Sequence, residues 1–320
     1  MQKHCSDLLI IGGGSAGMTA GLYASRAGLK TILLERKMTG GQIVNAEKIE
    51  NIPGFPDGIS GSEFGSLLLD QAVKYGMETQ LSEVTKIQQN QSYWNIETFE
   101  DTYTAQAVIV ASGSTLKRLG VPKEEELHGS GVSYCATCDG AFFRNQVVGV
   151  VGGGDSALDE AITLSEFASD VIVFHDQEYL HGQQILQKRV LDNPKISIRS
   201  SVSVDSIFGN GKVEGIVISD SMSKAVTRIN LDGVFIYVGL DPNTRYLSDI
   251  LSLDRAGHIP TDIWMRTSLP GILAAGDTRQ NSAAQIVSSA GDGATAAIAA
   301  YRYIRQGDWG SGVISTSHTK

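Results

Sequence analysis

The chain has 320 residues, 42% of them hydrophobic and 19% charged, and its formal net charge is −9. This length predicts two domains, and the negative charge, without any run of Lys or Arg, argues against a nucleic-acid partner. No apolar run reaches the roughly 20 residues of a membrane span and no secretory signal opens the chain, so we expect a soluble, cytoplasmic protein without a membrane partner.

The first predicted elements are a strand, a glycine turn, a helix and a second strand. Gly12, Gly14 and Gly17 fit the pattern G-x-G-x-x-G. The first glycine of this pattern permits a tight turn, the second lets a pyrophosphate approach the backbone, and the third lets the helix pack on the strand. Glu35 closes the second strand, where a carboxylate accepts hydrogen bonds from a ribose diol. These elements predict a dinucleotide site.

Cys135 and Cys138 form a C-x-x-C pair in the middle of the chain, and Cys5 is the remaining cysteine. In a reducing compartment such a pair favours redox chemistry or metal binding over a structural disulfide. Zinc needs further ligands, which the sequence does not supply, so we predict no metal site. Asp139 directly follows the pair and is positioned to move a thiol proton, whereas Cys5 is expected to be a bystander.

The strand-turn-helix-strand pattern then recurs, with G-x-G-x-x-A at Gly152, Gly154 and Ala157. In this repeat His175 takes the place of Glu35, because each follows the first glycine of its turn by 23 residues. The repeat predicts an α/β protein with two tandem Rossmann-like, three-layer dinucleotide-binding domains.

The C-terminal part predicts an apolar strand that ends at Asp277 and a helix that begins near Ala284. We expect Asp277 to bind the ribityl chain of a flavin, and the helix N-terminus to face the isoalloxazine ring. The first domain is then discontinuous, with the second inserted into it. From Arg305 onwards we expect a frayed tail, in which Trp309 either covers a flavin face or packs on the protein.

Six motifs resemble those of the low-molecular-weight thioredoxin reductases in order and spacing, across nearly the whole chain. They are GGGSAG, GGQ at Gly40–Gln42, ENIPGF at Glu50–Phe55, CATCDG at Cys135–Gly140, GGGDSA at Gly152–Ala157 and AAGD at Ala274–Asp277. The resemblance implies an FAD-binding domain over residues 1–117 and 244–320 and a pyridine-nucleotide-like domain over 118–243, in a homodimer. It also implies a thioredoxin-like protein or a small disulfide as the partner.

The resemblance implies roles for individual residues. Cys135 and Cys138 become the redox disulfide, and Asp139 becomes the acid/base beside it. The FAD contacts that the motifs and the resemblance assign are Gly12, Gly14, Ser15, Ala16, Gly17, Glu35, Arg36, Gly41, Gln42, Asn51, Gly113, Gly276, Asp277, Gln285 and Ile286. The second dinucleotide site comprises Gly152, Gly154, Asp155, Ser156, Ala157, His175 and Asp176.

One stretch departs from the family. NADPH-using members carry a His-Arg-Arg run and a further Arg that grip the 2′-phosphate, whereas this chain has FHDQEYLHG. Asp176 and Gln177 replace the arginine pair, and His181 replaces the third arginine. A carboxylate repels a phosphate dianion, and the bidentate arginine contacts are lost. We therefore predict that neither NADPH nor NADH reduces the flavin efficiently, with NADPH the poorer donor.

The sequence leaves the electron donor open. The second glycine turn fits another dinucleotide, either FAD or NADH, and a ferredoxin-type protein is an alternative donor. Three other hypotheses on function stay open: an ordinary NADH- or NADPH-dependent thioredoxin reductase, an oxygen-using dithiol oxidase, and a non-enzymatic flavin-binding redox sensor. Disulfide turnover separates the enzymes from the sensor.

Overall fold

The computed structural model describes residues 2–310 of the chain. It contains two compact units. The first is built from the segment up to Thr115 together with the segment from Asp241 onwards, and the second spans Leu116–Leu240. Within the described part of the chain, no helix combines the length and the apolar composition needed to cross a membrane.

The N-terminal segment contributes most of the strands of the first unit. Its elements are β1 (Lys3–Ile11), α1 (Ser15–Arg26), β2 (Thr31–Glu35), α2 (Gly61–Lys74), β3 (Glu78–Leu81), β4 (Val84–Asn90), β5 (Tyr93–Thr98), β6 (Thr102–Val110) and β7 (Ser114–Leu116). A 3-10 turn over Gly41–Asn45 lies between β2 and α2.

The second unit begins within β7 and carries the C-x-x-C pair on a short helix. Its elements are β8 (Val132–Ser133), α3 (Ala136–Asp139), β9 (Val147–Val151), α4 (Asp155–Ser165), β10 (Asp170–Phe174), α5 (Gln184–Asp192), β11 (Ile196–Arg199), β12 (Val202–Phe208), β13 (Gly215–Asp220), β14 (Val226–Asn230) and β15 (Gly233–Ile236). A parallel sheet has the strand order β11-β10-β9-β15-β8, and an antiparallel sheet has the order β12-β13-β14.

The C-terminal segment completes the first unit with three elements. They are β16 (Leu240–Pro242), β17 (Ile272–Ala274) and α6 (Ile286–Gln306). The seven-stranded sheet of this unit has the order β3-β2-β1-β6-β5-β4, and β17 pairs with β6 in parallel. The strands β1 and β6 are apolar and buried at their carboxyl ends, as in parallel sheets covered on both faces.

Small residues allow α1 and α6 to pack closely. A Cβ added at Gly293 of α6 would overlap the carbonyl of Ala16, and one added at Gly17 would overlap the carbonyl of Gly12. The Ala- and Gly-rich composition of α6 therefore has a packing cause. This helix places its N-terminus near the carboxyl ends of β6 and β17.

The two units repeat one arrangement, which confirms the predicted fold of two Rossmann-like halves. The motif β1-α1-β2 recurs as β9-α4-β10, and in each unit its two strands are parallel neighbours in the sheet. β8 pairs with β15 as β17 pairs with β6. The Cys pair that follows β8 and Asp277 that follows β17 thus occupy corresponding places in the two repeats.

The expectation of a frayed tail from Arg305 is wrong for its first residues. α6 continues through Gln306, and Gly307 ends it with a left-handed φ of 69°. The Trp309 ring then packs edge-on against Tyr303 at 5.0 Å, and its carbonyl accepts a hydrogen bond from Arg266. Trp309 is therefore a packing residue of the first unit, and residues 311–320 of the expected tail lie outside the described residues.

Candidate functional site

The first glycine turn links β1 to α1 and combines tight packing with an open side. Gly12 has a φ of 105°, and a Cβ there would overlap the backbone of Ala111. Gly14 is the N-cap of α1, and a Cβ there would meet nothing within 4 Å. Ser15 and Ala16 are buried in the first turn of the helix. The free N–H groups of α1 thus face open space beside Gly14, which suits an anionic pyrophosphate.

Glu35 holds this turn in place. Its Oε2 accepts a hydrogen bond from the Gly13 N–H at 2.7 Å, and its Oε1 accepts one from the Lys37 N–H at 2.9 Å. Arg36, which follows β2, is exposed. The Gly40 N–H donates to the Gly13 carbonyl at 2.7 Å, so the chain after β2 returns to the glycine turn.

Gln42 and Asp277 come together through a residue that the motifs did not single out. The Gln42 Nε2 donates to the Ser114 carbonyl at 2.6 Å and to the Ser114 Oγ at 2.9 Å, and that hydroxyl donates to the Asp277 Oδ2 at 3.1 Å. The Ser289 hydroxyl lies 3.4 Å from the other carboxylate oxygen. Ser114 is buried, and its only signal in sequence is the small-residue turn that ends the β6 segment.

The glycines around this polar group keep the backbone close. Gly113 and Gly276 both have left-handed φ angles, 63° and 74°, which favour glycine. The Gly276 N–H donates to the Asp292 Oδ2 at 3.1 Å. Gly41 approaches Gly14, because a Cβ at Gly41 would lie 3.2 Å from the Gly14 Cα.

Asn51 and Gln285 also meet, although 234 residues separate them. The Asn51 Nδ2 donates to the Gln285 Oε1 at 3.2 Å. Gln285 is the N-cap of α6, where it forms a capping box with Ser288, and Ile286 begins the helix. The helix thus starts two residues later than its expected origin near Ala284. Both residues are exposed.

These features satisfy the demands of an FAD site in the first unit. A glycine turn opens a helix beside a space that a Cβ would fill, and a carboxylate ends the adjoining strand. Amide and carboxylate groups of Gln42, Asn51, Asp277 and Gln285 supply further hydrogen-bonding atoms.

In the second unit, Cys135 and Cys138 form a disulfide across the first turn of α3. Cys135 is the N-cap of this helix, and its Sγ accepts a hydrogen bond from the Cys138 N–H at 3.2 Å. The Ser133 hydroxyl donates to the Asp139 Oδ2 at 2.6 Å and accepts from the Cys135 N–H at 3.1 Å. Ser133 therefore fixes the Asp139 carboxylate against the backbone of the Cys pair. Cys5 is exposed on β1 and forms no disulfide.

Two residues behind the disulfide carry no signal in the sequence. The Ala136 N–H lies 3.1 Å from the Glu160 Oε2 and 3.0 Å from the Tyr237 hydroxyl oxygen. Burial raises the pKa of Glu160 to about 7, and burial also raises the pKa of Tyr237 above its ordinary value. Glu160 lies on α4 and Tyr237 follows β15, so only the fold brings them to the Cys pair.

The second glycine turn has the same backbone as the first. Gly152 has a φ of 140°, Gly154 is the N-cap of α4, and Asp155, Ser156 and Ala157 form its first turn. His175 is 3% exposed at the end of β10, where its Nε2 lies 2.9 Å from the Ser200 hydroxyl. Its Nδ1 is buried without a hydrogen-bond partner in the described residues. Burial lowers the pKa of His175.

The chain after β10 returns to this turn and contacts it. The His181 N–H donates to the Gly153 carbonyl at 3.0 Å, and the Gln183 N–H and Nε2 donate to the two Asp155 carboxylate oxygens, both at 2.7 Å. A Cβ at Gly154 would lie 3.2 Å from the His181 Nε2. Side chains of the segment 181–183 thus lie at the start of α4, while Asp176 is exposed.

Arg199 lies at the end of the strand beside β10, outside the stretch 157–187 that contains no Lys or Arg. Arg199 ends β11, and its carbonyl accepts a hydrogen bond from the His175 N–H at 3.1 Å. Its side chain is exposed. The second turn is therefore poor in positive charge along its own βαβ unit, with a single arginine at the end of the neighbouring strand.

Comparisons with known proteins agree with this architecture. A family model described as pyridine nucleotide-disulphide oxidoreductase matches residues 6–293. A thioredoxin reductase of Listeria monocytogenes is 43% identical over 306 residues, which are 95% of this chain and 96% of that protein. A crystal structure of Lactococcus lactis thioredoxin reductase in its FR conformation has a TM-score of 0.92 at 42% identity, with coverage of 93% of this chain and 99% of that chain.

A more distant solved structure is also similar. A ferredoxin-flavin thioredoxin reductase from Clostridium acetobutylicum has a TM-score of 0.52 at 27% identity, with coverage of 95% of this chain and 99% of that chain.

Paired Rossmann-like units with a C-x-x-C disulfide in the second define the class of FAD-dependent disulfide oxidoreductases, and this protein is such an enzyme. The chain belongs to the pyridine nucleotide-disulphide oxidoreductase family and, within it, to the low-molecular-weight thioredoxin reductases. The family expected from the sequence motifs is confirmed.

Proposed function

We propose that this enzyme reduces the disulfide of a thioredoxin-like protein or of a small molecule through Cys135 and Cys138, with electrons from a donor other than NADPH. The observation that supports disulfide reduction through this pair is the Cys135–Cys138 disulfide on α3, with the Asp139 carboxylate held beside it by Ser133. The proteins of similar sequence called thioredoxin reductases support the choice of partner.

Different polar groups of the first unit would bind different parts of the FAD molecule. The N–H groups of α1 beside Gly14 would hold the pyrophosphate, and Glu35 would hold the ribose of the adenosine. Asp277, oriented by Ser114, would bind the ribityl chain, and Asn51 with Gln285 would contact the flavin ring. When bound, FAD supplies two-electron transfer to the disulfide.

The two sulfurs then carry out thiol–disulfide exchange. One thiolate attacks a sulfur of the partner disulfide, forming a mixed disulfide and releasing the other partner sulfur, which takes up a proton. The second cysteine attacks the mixed disulfide, re-forms the Cys135–Cys138 bond and releases the reduced partner. Asp139 is placed to accept the thiol proton and to return it to the leaving sulfur.

The second glycine turn supports a donor other than NADPH. The positions of the arginine pair hold Asp176 and Gln177, and His181 lies against Gly154 at the start of α4. A 2′-phosphate would gain no bidentate arginine contact from this loop and would face a carboxylate. Arg199 ends β11, the strand beside β10, and is the nearby cation whose effect on the reaction with NADPH needs a test.

The second glycine turn, with Gly152 at a left-handed φ and Gly154 as the N-cap of α4, supports a second dinucleotide without a 2′-phosphate, either FAD or NADH. A ferredoxin-type protein is the alternative source of electrons. The similarity to a ferredoxin-flavin thioredoxin reductase, at 27% identity, supports that alternative.

Exposed apolar side chains support assembly into a homodimer. Tyr23 on α1, Leu67 and Val73 on α2, and Tyr75 just after α2 are exposed large residues on neighbouring elements of the first unit. Exposed apolar side chains that cluster on a surface commonly mark an interface between proteins.

The disulfide proposal is tested with C135S, C138S and the control C5S. Each of the first two variants should keep FAD and lose reduction of a thioredoxin disulfide when the flavin is photoreduced, while C5S should retain wild-type turnover. Full turnover in both C135S and C138S would remove the pair from the mechanism.

The donor proposal is tested by anaerobic stopped-flow of the oxidised holoenzyme against NADPH, NADH and a reduced ferredoxin, together with a flavin count per chain. Slow bleaching by NADPH is expected. Two flavins per chain would identify a second FAD, and rapid bleaching by NADPH would overturn the proposal.

A further inference from the structure

Three elements of the second unit meet at one backbone amide beside the disulfide. Ala136 directly follows Cys135 and is the first residue of α3, and its N–H is this amide. The Glu160 Oε2 of α4 lies 3.1 Å from this nitrogen, and the Tyr237 hydroxyl, which follows β15, lies 3.0 Å from it. One peptide unit therefore links the Glu160 carboxyl to the redox pair.

The surroundings of Glu160 are acidic and poorly hydrated. Its carboxyl is half-buried, and Tyr237 is only 7% exposed. The titratable groups that act on Glu160 are Asp159 on the same helix and Tyr237, while Asp139 acts in turn on Tyr237. Burial is the main reason why the pKa of Glu160 rises to about 7, and the charge of Asp159 adds to it. The carboxyl thus exchanges its proton in the neutral range.

The contact with Ala136 connects the Glu160 carboxyl to the residue that follows Cys135. Glu160 can therefore affect the disulfide reaction itself, and not only the stability of the protein. We propose that Glu160 is a positioning residue of the redox pair: fixed by Tyr237, it holds the amide that follows Cys135 and opposes thiolate formation when the disulfide is reduced. The inference rests on the proposed exchange role of Cys135 and Cys138.

The physical basis is charge repulsion in a place that water screens poorly. An ionised Glu160 disfavours a second negative charge on either sulfur, and a thiolate in turn favours a protonated Glu160. Replacing Glu160 with Gln removes the charge but keeps an amide oxygen that can accept from the Ala136 N–H. The reduced pair should then ionise at lower pH.

The experiment measures the thiols directly. The holoenzyme is reduced with a phosphine, and alkylation of the peptide that contains Cys135 and Cys138 by iodoacetamide is followed by mass spectrometry across about pH 5 to 9, the range in which protein thiols titrate. In E160Q the midpoint of the alkylation rate should fall by at least about one pH unit, the shift expected from a unit charge about 10 Å away at an effective dielectric constant of about 20.

Two variants act as matched controls. E166Q makes the same substitution at an exposed glutamate, the C-cap of α4, and should leave the midpoint within about 0.2 pH units, because screening weakens exposed charges. E160D keeps the charge and should stay close to the wild type. A midpoint in E160Q equal to that of the wild type, or an equal shift in E166Q, would overturn the inference.

The wild type provides a test that needs no variant. Its alkylation profile should show a second group that titrates near pH 7, in addition to the attacking thiol, and a single ionisation would also overturn the inference. Turnover of a thioredoxin disulfide is measured separately. A wild type that fails turnover but shows the two-step profile would refute the proposed function and leave the electrostatic effect of Glu160 in place.

Discussion

The Ser114 hydroxyl donates a hydrogen bond to the Asp277 carboxylate at 3.1 Å, although 163 residues separate the two. Ser114 follows β6 and Asp277 follows β17, and these strands are parallel neighbours in the first unit. The contact joins the two distant chain segments of this unit at the carboxyl ends of their strands, where open α/β sheets bind ligands.

The first prediction concerns this pair. D277N should weaken FAD binding by about tenfold or more, because a hydrogen bond to a charged group contributes about 1.5–3 kcal/mol. FAD release is measured by fluorescence during dialysis. D249N, at an exposed aspartate of the same unit, should retain FAD as the wild type does. Equal FAD affinity in D277N and the wild type would contradict the role of Asp277.

Gly14 and Gly17 form a matched pair for the second prediction. G17A places a Cβ against the Gly12 carbonyl and should lower the free energy of unfolding by about 1–3 kcal/mol. G14A places its Cβ in open space, so it should leave the apoprotein stability nearly unchanged while reducing FAD affinity. Urea unfolding of the apoprotein and FAD titration separate the two effects. A normal FAD affinity in G14A would place the pyrophosphate elsewhere.

The third prediction restores cations to the second glycine turn. In D176R/Q177R the reduction of the flavin by NADPH should accelerate by at least about tenfold, because an arginine–phosphate pair is a charge-assisted contact. The rate with NADH, which lacks the 2′-phosphate, should not rise. D192R on α5 makes a similar charge change away from the turn and serves as the control.

The contribution of Arg199 to flavin reduction by NADPH is tested in the same assay. R199A should slow the residual NADPH reaction without affecting that of NADH, because this arginine ends the strand beside His175. No change in either variant would show that the adenosine phosphate does not bind at this turn.

The fourth prediction is a pH dependence of stability. Burial holds the pKa of His175 below the ordinary 6.5, so the folded protein binds this proton less readily than the unfolded chain does. The contribution of neutral His175 is therefore fully present above pH 6.5 and is lost as the pH falls towards the folded-state pKa. In H175Q the loss of unfolding free energy between about pH 7.5 and 5.5 should be smaller than in the wild type.

Urea unfolding at both pH values provides the measurement, and H128Q, at an exposed histidine of the same unit, is the control. An H175Q slope as steep as that of the wild type would assign the acid sensitivity to other groups.

Local sequence patterns were sufficient to predict much of the fold and of the candidate site. The two glycine turns, the helices they open and the C-x-x-C pair follow from residues a few positions apart, because turn geometry, helix starts and thiol chemistry depend on near neighbours in the chain. The same patterns were also sufficient to identify the family. Gln42 and Asp277, or Asn51 and Gln285, could be named as site residues from their motifs, but not as pairs in contact.

Contacts between distant segments depend on the order of strands and the packing of helices. Ser114 bridges Gln42 and Asp277 because β6 and β17 are neighbours, and the Arg199 carbonyl accepts a hydrogen bond from the His175 N–H because β11 lies beside β10. Glu160 meets the amide after Cys135 only because α4 packs against α3. Ser114, Arg199 and Glu160 stand in none of the motifs, since a residue that makes contacts across a fold needs no fixed spacing from its partner along the chain.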